Sequence, residues 1–95
     1  MGKLFDFTGK RVLVTGSGAG IGEACANAFA AQGAKVCANS ASRSAERVAE
    51  KIRAQGDTCI FVQADVQDPE QVRHMVDMVA EQFGGLDVLV NCAGV

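Results

Sequence analysis

The sequence predicts an α/β fold, a doubly wound parallel sheet running β-α-β-α-β-α-β. Three observations point to it. Four short runs, Arg11 to Thr15, Lys35 to Asn39, Thr58 to Gln63 and Leu86 to Asn91, are apolar without strict alternation, as strands covered by helices on both faces must be. Between these runs lie three segments whose apolar residues recur at helical spacing. Gly33, Gly56 and Gly84 each follow the last helical residue of a segment, the position where a left-handed residue strains the chain least if it is glycine.

The elements follow in order. The first strand, RVLVT, leads into a helix that is expected to set Ile21, Cys25, Ala28 and Phe29 on its core face. KVCAN forms the second strand, followed by a helix with Ala45, Val48 and Ile52 facing inward. TCIFVQ is the third strand, and Val72, Met75, Val76, Val79 and Phe83 make the apolar stripe of the third helix. That helix has the clearest start in the chain. Asp68 is an acidic N-cap, Pro69 suits the first helical position and Gln71 stands at the third. LDVLVN closes the set. Right-handed crossovers and the usual doubly wound order then place the strands 3-2-1-4, a Rossmann-type sheet.

Composition sets further bounds. The 95 residues are 48% hydrophobic and 21% charged, with 11 Gly and one Pro, which suits one soluble domain and leaves no room for a second. At this size only about 60 to 70% of the unfolded surface is buried on folding, so stability is expected to be marginal. Nine Lys and Arg against 11 Asp and Glu give a charge of −2 without a basic run, so nothing recruits nucleic acid. No apolar run approaches the roughly 20 residues that cross a bilayer, and Asp6 stands where a myristoylation motif wants Ser or Thr. The expected compartment is cytoplasmic, with no membrane partner. Cys25, Cys37, Cys59 and Cys92 are dispersed and read as reduced, small core residues. No metal site is expected, because the only histidine, His74, has no cysteine near it in sequence.

The chemistry concentrates after the first strand, in Thr15-Gly16-Ser17-Gly18-Ala19-Gly20-Ile21-Gly22. This is the carboxyl edge of the sheet, where open α/β folds bind ligands. Gly16 allows a sharp turn out of the strand, Gly20 allows close approach of a pyrophosphate to the helix N-terminus, and Gly22 allows close helix-to-sheet packing. The competing reading is a tight turn that binds nothing. The spacing is neither G-x-G-x-x-G nor a P-loop. It is T-G-x-x-x-G-x-G, and here the sequence resembles the short-chain dehydrogenase/reductase family.

Two further motifs carry the resemblance along the whole chain. Asp65-Val66 ends the third strand where family members use an Asp against the adenine ring, and Asn91-Cys92-Ala93-Gly94 resembles the family's N-N-A-G. Cys92 is the departure, a small residue without an amide. The resemblance implies a dinucleotide held by Gly16, Ser17, Gly18, Gly20, Ile21, Gly22, Asp65, Val66, Asn91, Ala93 and Gly94. The alternative on local chemistry is that Asp65 is a turn acid solvating the loop before Asp68 and Asn91 an ordinary strand-ending Asx turn. The N-terminal stretch and the run from Val36 through Gly94 most resemble the bacterial-type 3-oxoacyl-[acyl-carrier-protein] reductases and their near relatives within the family.

NAD-binding units place a carboxylate about 20 residues past the glycines, on the ribose hydroxyls. Here the corner reads Asn39-Ser40-Ala41-Ser42-Arg43, with no acid before Glu46. Ser40 and Ser42 are expected to donate to a 2′-phosphate and Arg43 to pair with it, which favours NADP over NAD. Alternatively Ser42 or Ser44 caps the next helix and Arg43 is solvated.

The resemblance implies hydride transfer between nicotinamide and a small-molecule carbonyl or alcohol, using a Tyr, a Lys and a Ser that lie downstream of N-N-A-G. The chain holds no Tyr, so no Tyr-x-x-x-Lys exists in it and no catalytic residue is assigned. The expectation is the cofactor-binding half of a reductase, inactive by itself and prone to self-association through the uncovered fourth strand. The full-length protein is expected to be a homo-oligomer. The alternatives are a noncatalytic dinucleotide-binding or self-pairing module, or a nonfunctional truncation.

Overall fold

The computed structural model describes residues 6–93. The elements are β1 (Arg11–Thr15), α1 (Gly20–Ala31), β2 (Lys35–Ser40), α2 (Ser44–Ala54), β3 (Cys59–Gln63), α3 (Pro69–Phe83) and β4 (Val88–Asn91). The sheet order is β3-β2-β1-β4, with every neighbouring pair parallel. Both are the arrangement expected from the apolar runs.

Two core layers explain why those runs do not alternate. Val12 and Val14 of β1 and Val36 and Ala38 of β2 pack with Ala26 and Ala30 of α1 and Ala45, Val48, Ala49 and Ile52 of α2. Leu13 and Cys37 point the other way, into Met75, Val79 and Phe83 of α3. Each inner strand therefore buries both of its faces.

One expectation fails on α1. Ile21 is 63% exposed and Ala28 is exposed, while Gly22, Ala26 and Ala30 form the buried stripe. Small residues at intervals of four let the helix lie close on the sheet. Hydrophobic periodicity underweights such a stripe, because Gly and Ala score low. On α3 the expected start is realised: Asp68 Oδ1 accepts from Glu70 N at 3.0 Å, and Gln71 Nε2 donates to Asp68 Oδ2 at 2.9 Å.

All four cysteines are free. Cys37 and Cys59 are buried, whereas Cys25 and Cys92 are half-buried, so only the first two are the enclosed core residues the sequence suggested. Burial pushes the Cys37 thiol up to about 12 and Cys59 to about 11. The last strand is shorter than expected, beginning at Val88, because Asp87 is taken up by Arg11. Arg11 Nε lies 2.8 Å from Asp87 Oδ2, and Asp87 N donates to Arg11 O at 2.9 Å. On β4, Leu89 is 58% exposed, in line with the thin cover expected there.

Candidate functional site

The loop between β1 and α1 is wedged against three other segments. Gly16 has φ +63°, and a Cβ there would lie 2.8 Å from the Ala93 N and Cα. A Cβ on Gly22 would lie 2.0 Å from Gly16 O, and one on Gly18 would lie 2.0 Å from Ser44 Oγ. Only residues without side chains allow the segment after β4, the first turn of α1 and the start of α2 to meet around this loop.

Hydrogen bonds hold it there. Ser17 N donates to Asn39 O at 2.8 Å, and Asn39 N donates to Ser17 Oγ at 2.8 Å. The Ser17 hydroxyl points toward Val14 O and Asn39 O, 3.1 Å from each. Ser17 is fully buried. It therefore shapes the loop from inside. Asn39 Nδ2 donates to Val62 O at 3.0 Å and to Ala64 O at 3.1 Å, tying the loop to the end of β3. Arg47 NH2 donates to Gly18 O at 3.0 Å and is ion-paired with Glu23 at 3.0 Å, whose carboxyl it holds below its ordinary range. The sequence reading missed both residues, since their partners lie more than 20 positions away.

The loop opens onto two cavities at the carboxyl edge of the sheet. One, of about 330 Å³, is lined by Gly16, Ala19, Gly20, Ile21, Gly22 and Cys92. The other, of about 440 Å³, shares Gly16, Ala19 and Cys92 and adds Gly18, Ser40, Ala41, Ser42, Ser44 and Ala93. α1 begins beside them with Ala19 at its N-cap and no side-chain cap. Its first-turn amides and dipole are thus left for a ligand anion.

At the β2 to α2 corner, Ser40 is 6% exposed. Its hydroxyl donates to Ser42 O at 2.7 Å and accepts from Ala45 N at 3.0 Å. The single hydroxyl proton is already engaged, so Ser40 builds the corner and has no proton left to donate to a phosphate. Ser42 is exposed and accepts from Ser44 N at 3.2 Å, which is the capping alternative in a modified form. Arg43 lies 5.7 Å from the Phe61 ring centroid and pairs with Glu46, the first acid of α2. Its side chain stays 65% exposed. No carboxylate stands between Asn39 and Ala45.

The remaining expected residues divide. Ala93 joins the larger glycine-loop cavity, and Gly94 lies outside the described residues. Asn91 and Val66 line a separate apolar cavity of about 150 Å³ beside α3, with Thr15 and Leu89. Asn91 Oδ1 accepts from Thr15 Oγ1 at 2.8 Å. Asp65 makes the turn contact foreseen as its alternative, Oδ1 accepting from Gln67 N at 2.9 Å, yet it stays exposed.

The profile of the short chain dehydrogenase family matches residues 10–95. The chain belongs to that family. A versicolorin reductase of Emericella nidulans is 45% identical over 93 residues, 96% of this chain and 35% of that protein. A 3-oxoacyl-[acyl-carrier-protein] reductase of Staphylococcus aureus is 44% identical over 88 residues, 90% of this chain and 36% of that protein. The crystal structure of a short chain dehydrogenase from Burkholderia cenocepacia in complex with NADP superposes with a TM-score of 0.88 at 48% identity, covering 96% of this chain and 38% of that one. The chain thus spans a little over a third of the length of these relatives. Among the described residues, no helix is long and apolar enough to cross a membrane, and no three His, Cys, Asp or Glu gather as a metal site.

Proposed function

We propose that this chain is the dinucleotide-binding part of an NADP(H)-dependent oxidoreductase acting on a small carbonyl or alcohol. The observation that carries the reading is the uncapped N-terminus of α1 facing a glycine-lined cavity, beside a corner where Ser42 and Arg43 are exposed and no carboxylate intervenes. NADP, when bound, supplies the hydride donor or acceptor. This chain's residues bind and orient it.

The first-turn amides of α1 would receive the pyrophosphate, with Gly16, Gly18 and Gly20 offering backbone without side chains. Ser42 and Arg43 would contact the 2′-phosphate. Arg43 would exchange the Glu46 carboxylate for the phosphate, a doubly charged and stronger acceptor. Asp65 and Val66 would border the adenine, and Asn91, Ala93 and Gly94 the nicotinamide side. The Burkholderia relative's NADP complex supports this choice of cofactor.

Proton transfer by a phenol falls outside these 95 residues, which contain no tyrosine. We infer a cytoplasmic homo-oligomer for the full-length protein from its family alone. The test is equilibrium titration of the full-length protein with NADPH and NADH, followed by nicotinamide fluorescence. Saturable NADPH binding, tighter than NADH, is expected. No saturation with either would overturn the reading.

A further inference from the structure

An acid stands where the proposed function needs to hold an anion. Glu23 is the acidic residue in the first turn of α1, the turn that borders the glycine-lined cavity with Gly20, Ile21 and Gly22. A carboxylate there competes with any other anion for the helix dipole and also repels it directly. Its side chain is 24% exposed, so salt screens its charge less than it would on the open surface. Arg47, on α2, meets this carboxylate with a fork. Arg47 Nη1 donates to Glu23 Oε2 at 3.2 Å and Nη2 donates to Oε1 at 3.0 Å, the bidentate pairing that a planar guanidinium suits. Nη2 also donates to Gly18 O at 3.0 Å, and Gly18 lines the larger cavity. One cation thus holds the carboxylate of α1 and a carbonyl of the glycine loop at once. Hydrogen bonding from Arg47 keeps the Glu23 carboxyl below its ordinary range, so it is charged at neutral pH. Lys51, one turn further along α2, also attracts it, but the fork belongs to Arg47.

We propose that Arg47 is a positioning residue for the dinucleotide: by neutralising Glu23 it leaves the N-terminus of α1 to the pyrophosphate. This rests on the cofactor reading above and gives Arg47 a different task from Arg43. Arg43 stands at the 2′-phosphate corner and selects between nucleotides, whereas the pyrophosphate is common to NADPH and NADH, so Arg47 serves both. Removing Arg47 bares a negative charge beside the anion site. Removing the charge of Glu23 instead leaves Arg47 as an uncompensated positive one, which draws an anion in. The two changes therefore act on binding with opposite signs. A clamp that did no more than hold α1, the loop and α2 together would be weakened by either change, and binding would fall in both.

The test measures dissociation constants for NADPH and NADH by nicotinamide fluorescence on full-length wild type, Arg47→Ala, Glu23→Gln and the double variant, with urea unfolding of each to establish that it is folded. Arg47→Ala is expected to weaken both nucleotides by similar factors of about five or more. Glu23→Gln is expected to tighten both by about twofold. The double variant should recover most of the loss seen in Arg47→Ala, because the charge that Arg47 answers is gone. Unchanged or weaker binding in Glu23→Gln, no loss in Arg47→Ala, a loss confined to NADPH, or a double variant as weak as Arg47→Ala would each overturn the proposal. Should Arg47→Ala fail to fold, the direction of the change in Glu23→Gln decides. Wild type that saturates with neither nucleotide would instead overturn the cofactor reading itself.

Discussion

Ser17 and Asn39 grip each other through their backbones and one hydroxyl: Ser17 N donates to Asn39 O at 2.8 Å and Asn39 N donates to Ser17 Oγ at 2.8 Å. The pair couples the glycine loop to β2, and the Asn39 amide extends the coupling to β3. Ser17→Ala strands the buried Asn39 N–H, which should cost about 1–3 kcal/mol. Urea unfolding of the full-length protein checks this, with a lowered midpoint expected at an unchanged slope. An unchanged midpoint would mean that the loop is held by something else.

Gly22→Ala is expected to be worse than its one methyl suggests. The added Cβ would fall 2.0 Å from the backbone oxygen of Gly16, and neither backbone has a soft rotamer with which to yield. Overpacking of this kind costs about 1–3 kcal/mol, and the loop must shift away from the α1 amides. A lower unfolding temperature together with weaker NADPH binding is expected. Gly20→Ala meets no atom within 4 Å but must adopt φ near +59°, which costs about 1–2 kcal/mol. It should lower stability and also weaken NADPH binding, because Gly20 lines the cavity in which side-chain-free backbone is to meet the pyrophosphate.

Much of this architecture was legible in the residues. Val12, Leu13 and Val14 are consecutive and apolar because α1 and α2 cover one face of β1 and α3 the other. Asp68 and Pro69 announced α3 because a cap is a local interaction. The inner face of α1 was not legible, since Gly22, Ala26 and Ala30 bury little area each and are recognised only once the helix lies on the sheet. The fates of Ser17 and Ser40 were hidden for a related reason. Whether a hydroxyl is free for a ligand depends on what already receives its proton, and for Ser17 one receiver is Asn39 O, 22 positions away. Arg47 reaches Gly18 across 29 positions, beyond any local motif.

The Arg11–Asp87 pair makes a pH prediction. Hydrogen bonding from the Arg11 guanidinium, first, and from its backbone N–H holds the Asp87 carboxyl well below the carboxylate range. A depressed folded pKa stabilises the fold above the unfolded value of about 3.9, and that contribution fades as pH falls below it toward the folded value. Thermal unfolding of wild type and Asp87→Asn between pH 7 and pH 3 reads the effect. The wild type should be the more stable at pH 7 and its advantage should shrink below about pH 4. An advantage that is flat across the range would show that the pair is not held in its ionised form.

The most direct test of the central claim is the paired dissociation constants of NADPH and NADH for wild type and Arg43→Glu full-length protein. Arg43 is exposed at the corner beside Ser42, and the substitution replaces an attraction to the 2′-phosphate with a repulsion. The account predicts NADPH binding weakened about tenfold or more, as loss of one charge-assisted hydrogen bond implies, with NADH binding nearly unchanged. Equal losses for the two nucleotides, or none for either, would contradict it.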